Sequence, residues 1–323
     1  MLDELEDLQN QLFGSNNEDD DADKAGNPDT SSEELKILSK SKDENIRQSV
    51  AENPNTDQET LEKLSNDEDY YVKLSVASNK NCSTELLSSL AEDENENVRS
   101  AVAKNINCSS DSLKKLAEDE DEDVVESALH NLFTKNENLI SDYLDSENDT
   151  VLMSIASFNK TDPEILKKLI SSDDKNIIKT VIKNPNVEQA IIDTLYESLK
   201  NKGEIFESDD AFGSFMDTLV HSIASYSSNP KIITELSTHQ SYEIREALVL
   251  NPNTNLDLLE KFLNDDSPTV VIETVSQILN RDTPKEKLKA LLLKITEIKE
   301  FKNSTEDPAY YIERAAEKLK ELD

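Results

Sequence analysis

The residues best suited to chemistry in this chain are charged, and they recur at fixed intervals. Arg47, Lys73 and Arg99 stand 26 residues apart, and Arg245 repeats their setting later. Four positions before the first two lie Asp43 and Asp69, the i, i+4 spacing of an intrahelical ion pair. As a site, this row is a basic ladder for a ligand carboxylate or phosphate. As structure, it is a charge ladder between stacked repeats. Carboxylates recur as regularly, at residues 67–69, at 93–96 and in an unbroken run over 118–123. Asp67, Asp69, Asp93, Asp119 and Asp121 then line one edge. That edge is read as a docking strip for a basic segment, a weak divalent-cation sink or a solvated border. The long run has neither the ligand spacing nor the turn-making glycine of a calcium loop.

The residues of covalent catalysis are sparse. Cys82 and Cys108 occupy the same place in consecutive repeats. One helical layer separates them by about 8–10 Å, more than the ~7 Å that a disulfide spans between Cα atoms, so they read as structural. Two cysteines also cannot hold an iron–sulfur cluster. His130, His221 and His239 are far apart, and none is followed by Glu. The sequence carries no phosphate-cradling glycine loop, nucleophile elbow or zinc spacing. No cofactor and no metal site is expected, and a non-catalytic role follows.

The charge balance narrows the partners. There are 34 Lys and Arg against 69 Asp and Glu, a net charge of −35. Such a field repels phosphate backbones and attracts cations, which argues against direct nucleic-acid binding and for a basic protein partner. No apolar run approaches the ~18 residues of a membrane span, and the acidic start of the chain does not resemble a secretion signal. A cytoplasmic location is expected.

The elements that position these residues are repeats. The first Asn of an Asn-Pro-Asn-Thr-like box falls at 27, 53, 79, 105 and 131, and the frame then loosens through Asn159, Asn184, Asn229 and Asn251. After each early box comes an i, i+3 apolar pair: Leu35/Leu38, Leu61/Leu64, Leu87/Leu90 and Leu113/Leu116. Eight residues on comes an i, i+4 pair: Ile46/Val50, Val72/Val76, Val98/Val102 and Val124/Ala128. Two short helices per 26 residues are predicted. Thr30 with Glu33, and Thr56 with Glu59, have capping-box spacing at the first helix. A single unit cannot bury its apolar face, but a stack can.

The run of Asn-Pro-Asn-Thr, Leu-x-x-Leu, Asp and Val-Arg-x-x-Val-Ala, clearest over 53–103 with Asp93, Val98, Arg99, Val102 and Ala103, resembles the leucine-rich repeat variant family, which is HEAT-like. The resemblance covers about residues 27–280 and implies an all-α, right-handed α-solenoid of short two-helix repeats. Some relatives carry a cysteine-bound iron–sulfur cluster, whose cysteines this chain lacks. Family membership does not fix function.

Three segments are expected. Residues 1–26 form an acidic tail, with Leu8, Leu12 and Phe13 on a short amphipathic helix and a disordered linker from Ser15 onward. The helix is read as an end cap or as a docking element. Residues 27–283 form the array, with an insertion near 200–218 that holds Phe206, Phe212 and Phe215. Residues 284–323 form a helical cap. The function expected is a protein-interaction scaffold. The alternatives are a HEAT-like enzyme, or an acidic decoy or chaperone for nucleic-acid-binding proteins.

Overall fold

The computed structural model describes residues 18–206, 218–298 and 309–322, and every regular element among them is helical. The chain divides into two compact units, Met1–Phe158 and Asn159–Asp323.

In the first unit the first helices span Ser32–Leu38, Gln58–Leu64, Thr84–Leu90 and Ser110–Leu116. The second helices span Glu44–Glu52, Tyr70–Ser78, Glu96–Lys104 and Glu122–Lys135. Most have seven or nine residues, too few to persist alone in water, so packing holds them. All eight apolar pairs found in the sequence are buried. Each large side chain contributes roughly 1.5–3 kcal/mol. Consecutive second helices pack directly on one another. Ala51, Ala77 and Ala103, all without exposure, let their backbones approach.

The caps are not those of the predicted capping boxes. Ser31 and Asp57 cap the first helices by accepting from Glu34 N–H and Thr60 N–H. Thr30 and Thr56 are instead buried, and each hydroxyl donates to a carbonyl six residues back, Lys24 O and Val50 O. The hydroxyl one residue before the cap has turned inward, leaving the next residue to cap. The second helices are capped by Asp43, Asp69, Asn95 and Asp121.

The asparagine boxes do more than turn the chain. Asn79 donates through Nδ2 to Ala51 O (2.6 Å) and Asn53 O (3.1 Å) of the repeat before, while its Oδ1 accepts from Asn81 N–H (2.8 Å). Asn53, Asn105 and Asn131 donate to the equivalent carbonyls. A second ladder runs beside it, with Asn81 Nδ2 donating to Pro54 O and Asn107 Nδ2 to Lys80 O. Carbonyls at the turns are thus satisfied across repeats, those of Asn53, Asn79 and Asn105 in addition to an N–H of their own turn.

The acidic stretch after Ser15 is not a linker throughout. Glu18–Gly26 is a helix packed on Glu44–Glu52, with Ala25 fully buried. Ala25 lies 26 residues before Ala51, so this is the second helix of a further repeat. Asp20 and Asp23 are exposed while Asp21 is buried, and the small seam at Ala25 decides the fold. The segment holding Leu8, Leu12 and Phe13 lies outside the described residues.

In the second unit the repeat continues through Pro163–Leu169, Lys175–Lys183, Gln189–Lys202, Leu219–Tyr226, Pro230–Leu236, Tyr242–Leu250, Leu256–Phe262 and Pro268–Asn280. Gln189–Lys202 runs twice the usual length of a first helix and stops at Gly203, whose φ of 83° only glycine adopts easily. Phe212 and Phe215 lie outside the described residues, as does the Phe206 side chain. Lys285–Thr296 and Ala309–Leu322 follow, burying Leu291, Leu292, Ile295 and Ala315 where they pack on each other and on Pro268–Asn280.

Candidate protein-binding face

The basic ladder is an inter-repeat device. Arg47 does not pair with Asp43, nor Lys73 with Asp69. Arg47 reaches Asp67, twenty residues on, through Nε (2.7 Å) and Nη2 (2.9 Å), and its Nη1 donates to Ser41 O and Lys42 O. Arg99 does the same with Asp119 (2.7 and 2.8 Å) and with Asp93 O and Glu94 O. Lys73 Nζ reaches Asp93 at 2.6 Å, and Arg245 reaches Asp265 at 2.8 Å through two nitrogens. Asp43 and Asp69 are drawn away because their carboxylates accept from Asn45 N–H and Tyr71 N–H at the helix start. The carboxylates of Asp67, Asp93 and Asp119 also accept the N–H two residues on.

Burial pushes the Asp67 and Asp119 carboxyls up, but the hydrogen bonds from Arg47 and Arg99, with those of the backbone, outweigh it and hold both below the usual carboxylate range. A carboxyl depressed in the fold contributes stability that is present above its unfolded value of about 3.9 and lost as pH falls through the folded one. We expect the Asp69 and Asp121 amides, which donate to these carboxylates, to stay protected from hydrogen exchange down to about pH 4 and to lose protection below it. Loss beginning near neutrality would contradict the pairing.

Of the sequence-predicted site residues, the structure therefore brings Arg47, Lys73, Arg99, Asp67, Asp93 and Asp119 together in pairs between repeats. Asp69 and Asp121 serve as helix caps. The cysteines are buried and free, and burial pushes their thiols up, Cys82 to about 12 and Cys108 to about 11. That is far from the thiolate needed for attack.

Sequence reasoning passed over the register one residue after the ladder cation. In the first unit it holds half-buried Gln48 and Leu74, buried Ser100 and exposed Glu126, beside exposed Tyr71. There Glu122–Lys135 continues past Asn131 instead of turning, and an open cleft of about 630 Å³ forms between Lys104, Ile106, Asp123, Glu126 and His130. In the second unit the same register holds Glu246. The helices Leu219–Tyr226, Tyr242–Leu250 and Pro268–Asn280 pack in succession and carry Tyr226, Tyr242 and Leu250, each about half exposed (46%, 46% and 52%).

Glu246 differs from the ladder carboxylates. Burial first, then the charges of Glu273 and Glu243, push its carboxyl above the ordinary range. No ion pair to it forms among the described residues. Glu243 is nearly buried and accepts from the Ser241 hydroxyl at 3.2 Å. A carboxyl held up by burial and by neighbouring negative charge gains most from an arriving cation, because it relieves both desolvation and repulsion.

The geometry defines an all-α protein of stacked two-helix repeats. The leucine rich repeat variant model matches residues 44–69, one repeat length beginning at a second helix. No curated protein matches the chain. Among solved structures it is similar to the S. pombe condensin Cnd3-Cnd2 subcomplex (16% identity, 90% of this chain and 43% of that one, TM-score 0.36). It is also similar to importin beta (13% identity, 90% and 40%, TM-score 0.33), and to a designed armadillo repeat protein in complex with the peptide (KR)4 (20% identity, 88% and 98%, TM-score 0.22). The chain spans less than half the length of the condensin and importin chains.

Proposed function

We propose that this protein is a non-catalytic scaffold, and that it binds a basic segment of a protein partner on the outward face of the second helices in the unit from Asn159. The observation that carries this is Glu246. Of the described carboxyls with a displaced pKa, it alone is displaced upward, while the ladder carboxyls are satisfied from within. Exposed Tyr226, Tyr242 and Leu250 offer apolar area beside it, and Tyr rings also accept cations on their faces. The sealed cysteines support the non-catalytic part. A cytoplasmic location is part of the same proposal.

The test is a titration of the full chain with a Lys-rich peptide and a neutral peptide of equal length, at low salt and at about 0.5 M salt. The Lys-rich peptide is expected to bind, and the double variant Glu246→Gln, Glu273→Gln to weaken it roughly tenfold, about 1.4 kcal/mol. Equal affinity in the double variant would mean a general acidic attraction, as in a decoy for basic proteins, and would remove this face from the account.

A further inference from the structure

His239 stands where other repeats place an acid, Asp67, Asp93 and Asp119, or a serine, Ser41. It lies six residues before Arg245, as Asp93 lies six before Arg99, and the later cation donates to its carbonyl in both cases (Arg245 Nη1 to His239 O, 2.6 Å). Asp93 accepts from the N–H two residues on, and so does the His239 ring: Ser241 N–H donates to Nδ1 at 3.0 Å. The difference lies on the other side. Twenty residues before Asp67, Asp93, Asp119 and Asp265 stands a cation, but twenty before His239 stands Leu219. In place of a carboxylate taking a guanidinium, His239 presents Nε2 to Ile205 O at 3.0 Å. A carbonyl only accepts, and an amide N–H only donates. The ring is therefore the neutral tautomer with its proton on Nε2.

His239 is 2% exposed. Several charged and titratable groups surround it. Tyr196 and Lys200 come from Gln189–Lys202 and Glu235 from Pro230–Leu236, and with His239 they line a cavity of about 180 Å³. Glu235 accepts from Lys200 at 2.6 Å and from the Tyr196 hydroxyl at 3.0 Å. Arg245 comes from the helix that follows, and is itself held by Asp265 and Asp266.

We propose that His239 is an acid-sensitive clasp: neutral, it joins the turn at Ile205 to the start of helix Tyr242–Leu250, and protonated, it must release the Ser241 amide. An imidazolium has two N–H donors and no acceptor, so Nδ1 then faces Ser241 N–H donor to donor. It also adds a second cation beside Arg245. Ser241 is the N-cap of Tyr242–Leu250, its hydroxyl accepting from Glu243 N–H at 3.1 Å. The release therefore loosens the end of the helix that carries Glu243 and Glu246. The clasp stands whether or not that helix binds a partner.

Burial holds the imidazole below its ordinary value, and the charge of Arg245 acts in the same direction. For a base depressed in the fold, the stabilisation is present above the unfolded pKa of about 6.5 and is lost as pH falls below it. The test is NMR on the full chain between about pH 7.5 and 5. It follows the ring C–H signals of the three histidines and the exchange of the Ser241 amide, corrected for intrinsic rate. The His239 ring is expected to titrate below about 6.5, with Ser241 protection falling roughly tenfold over the same interval. In H239N the side-chain oxygen can accept from Ser241 N–H but does not titrate, so Ser241 protection is expected to stay level. A His239 ring that titrates at or above 6.5, Ser241 protection unchanged through the wild-type titration, or the same pH-dependent loss in H239N would each overturn the clasp. Should H239N fail to fold, the wild-type titration decides alone.

Discussion

Replacing Arg99 with leucine is expected to destabilise the unit ending at Phe158 by about 3–5 kcal/mol. The guanidinium holds the Asp119 carboxylate with two nitrogens, at 2.7 and 2.8 Å, and two carbonyls with a third. The side chains of Arg99 and Asp119 are 11% and 9% exposed, so water screens the pair little and cannot rehydrate the survivor. The loss is dominated by a carboxylate left buried without its cation. The double variant R99L, D119N is therefore expected to be less destabilised than the sum of the two single variants, and a double-mutant cycle in urea separates the terms. Lys73→Leu is expected to cost less, because an ammonium contacts Asp93 at a single point. Equal effects from Arg99 and an exposed lysine such as Lys114 would show that the ladder does not join repeats.

The second large effect falls on the asparagine ladder. Asn79→Ala is expected to cost about 2–4 kcal/mol. It removes three hydrogen bonds, each worth about 1 kcal/mol, and strands the buried carbonyl of Ala51, while the Asn53 carbonyl keeps Thr56 N–H. Asn79→Asp is expected to be at least as severe, since it turns acceptor against acceptor. Asn45, exposed on the second-helix face, is expected to change stability by less than about 0.5 kcal/mol when made alanine. Urea unfolding of the three variants checks the contrast, and a small effect at Asn79 would mean that the turns are held by local geometry rather than across repeats. Both predictions concern interfaces between neighbours, where a repeat protein keeps much of its stability.

The repeats were legible because their cause is local. A 26-residue spacing of Leu pairs, Val pairs and small alanines is what two short helices and a tight seam require, and each of these residues is buried where the spacing puts it. The partners of the ladder were not legible in the same way. Arg47 has Asp43 at good helical spacing, and nothing in the linear sequence shows that Asp43 is already spent on Asn45 N–H. The choice of Asp67 depends on how far one repeat lies from the next. The capping boxes failed for a related reason: Thr56 precedes Asp57, both can cap, and burial of the threonine decides. Glu18–Gly26 was hidden by its aspartates, although Ala25 keeps the register. Glu246 was overlooked because a single Glu in a chain with 69 acids has no distinguishing type or spacing. Its character comes first from burial and then from Glu273 on the neighbouring helix.

The most direct test of the proposed face is an amide chemical-shift map of the full chain with the Lys-rich peptide, read residue by residue. The expected result is a footprint on Tyr242–Leu250 and Pro268–Asn280, centred on Glu246 and Glu273, with the Asp67, Asp93 and Asp119 turns unmoved because their carboxylates are already paired. A footprint on those turns, or one spread evenly over every acidic surface, would contradict it.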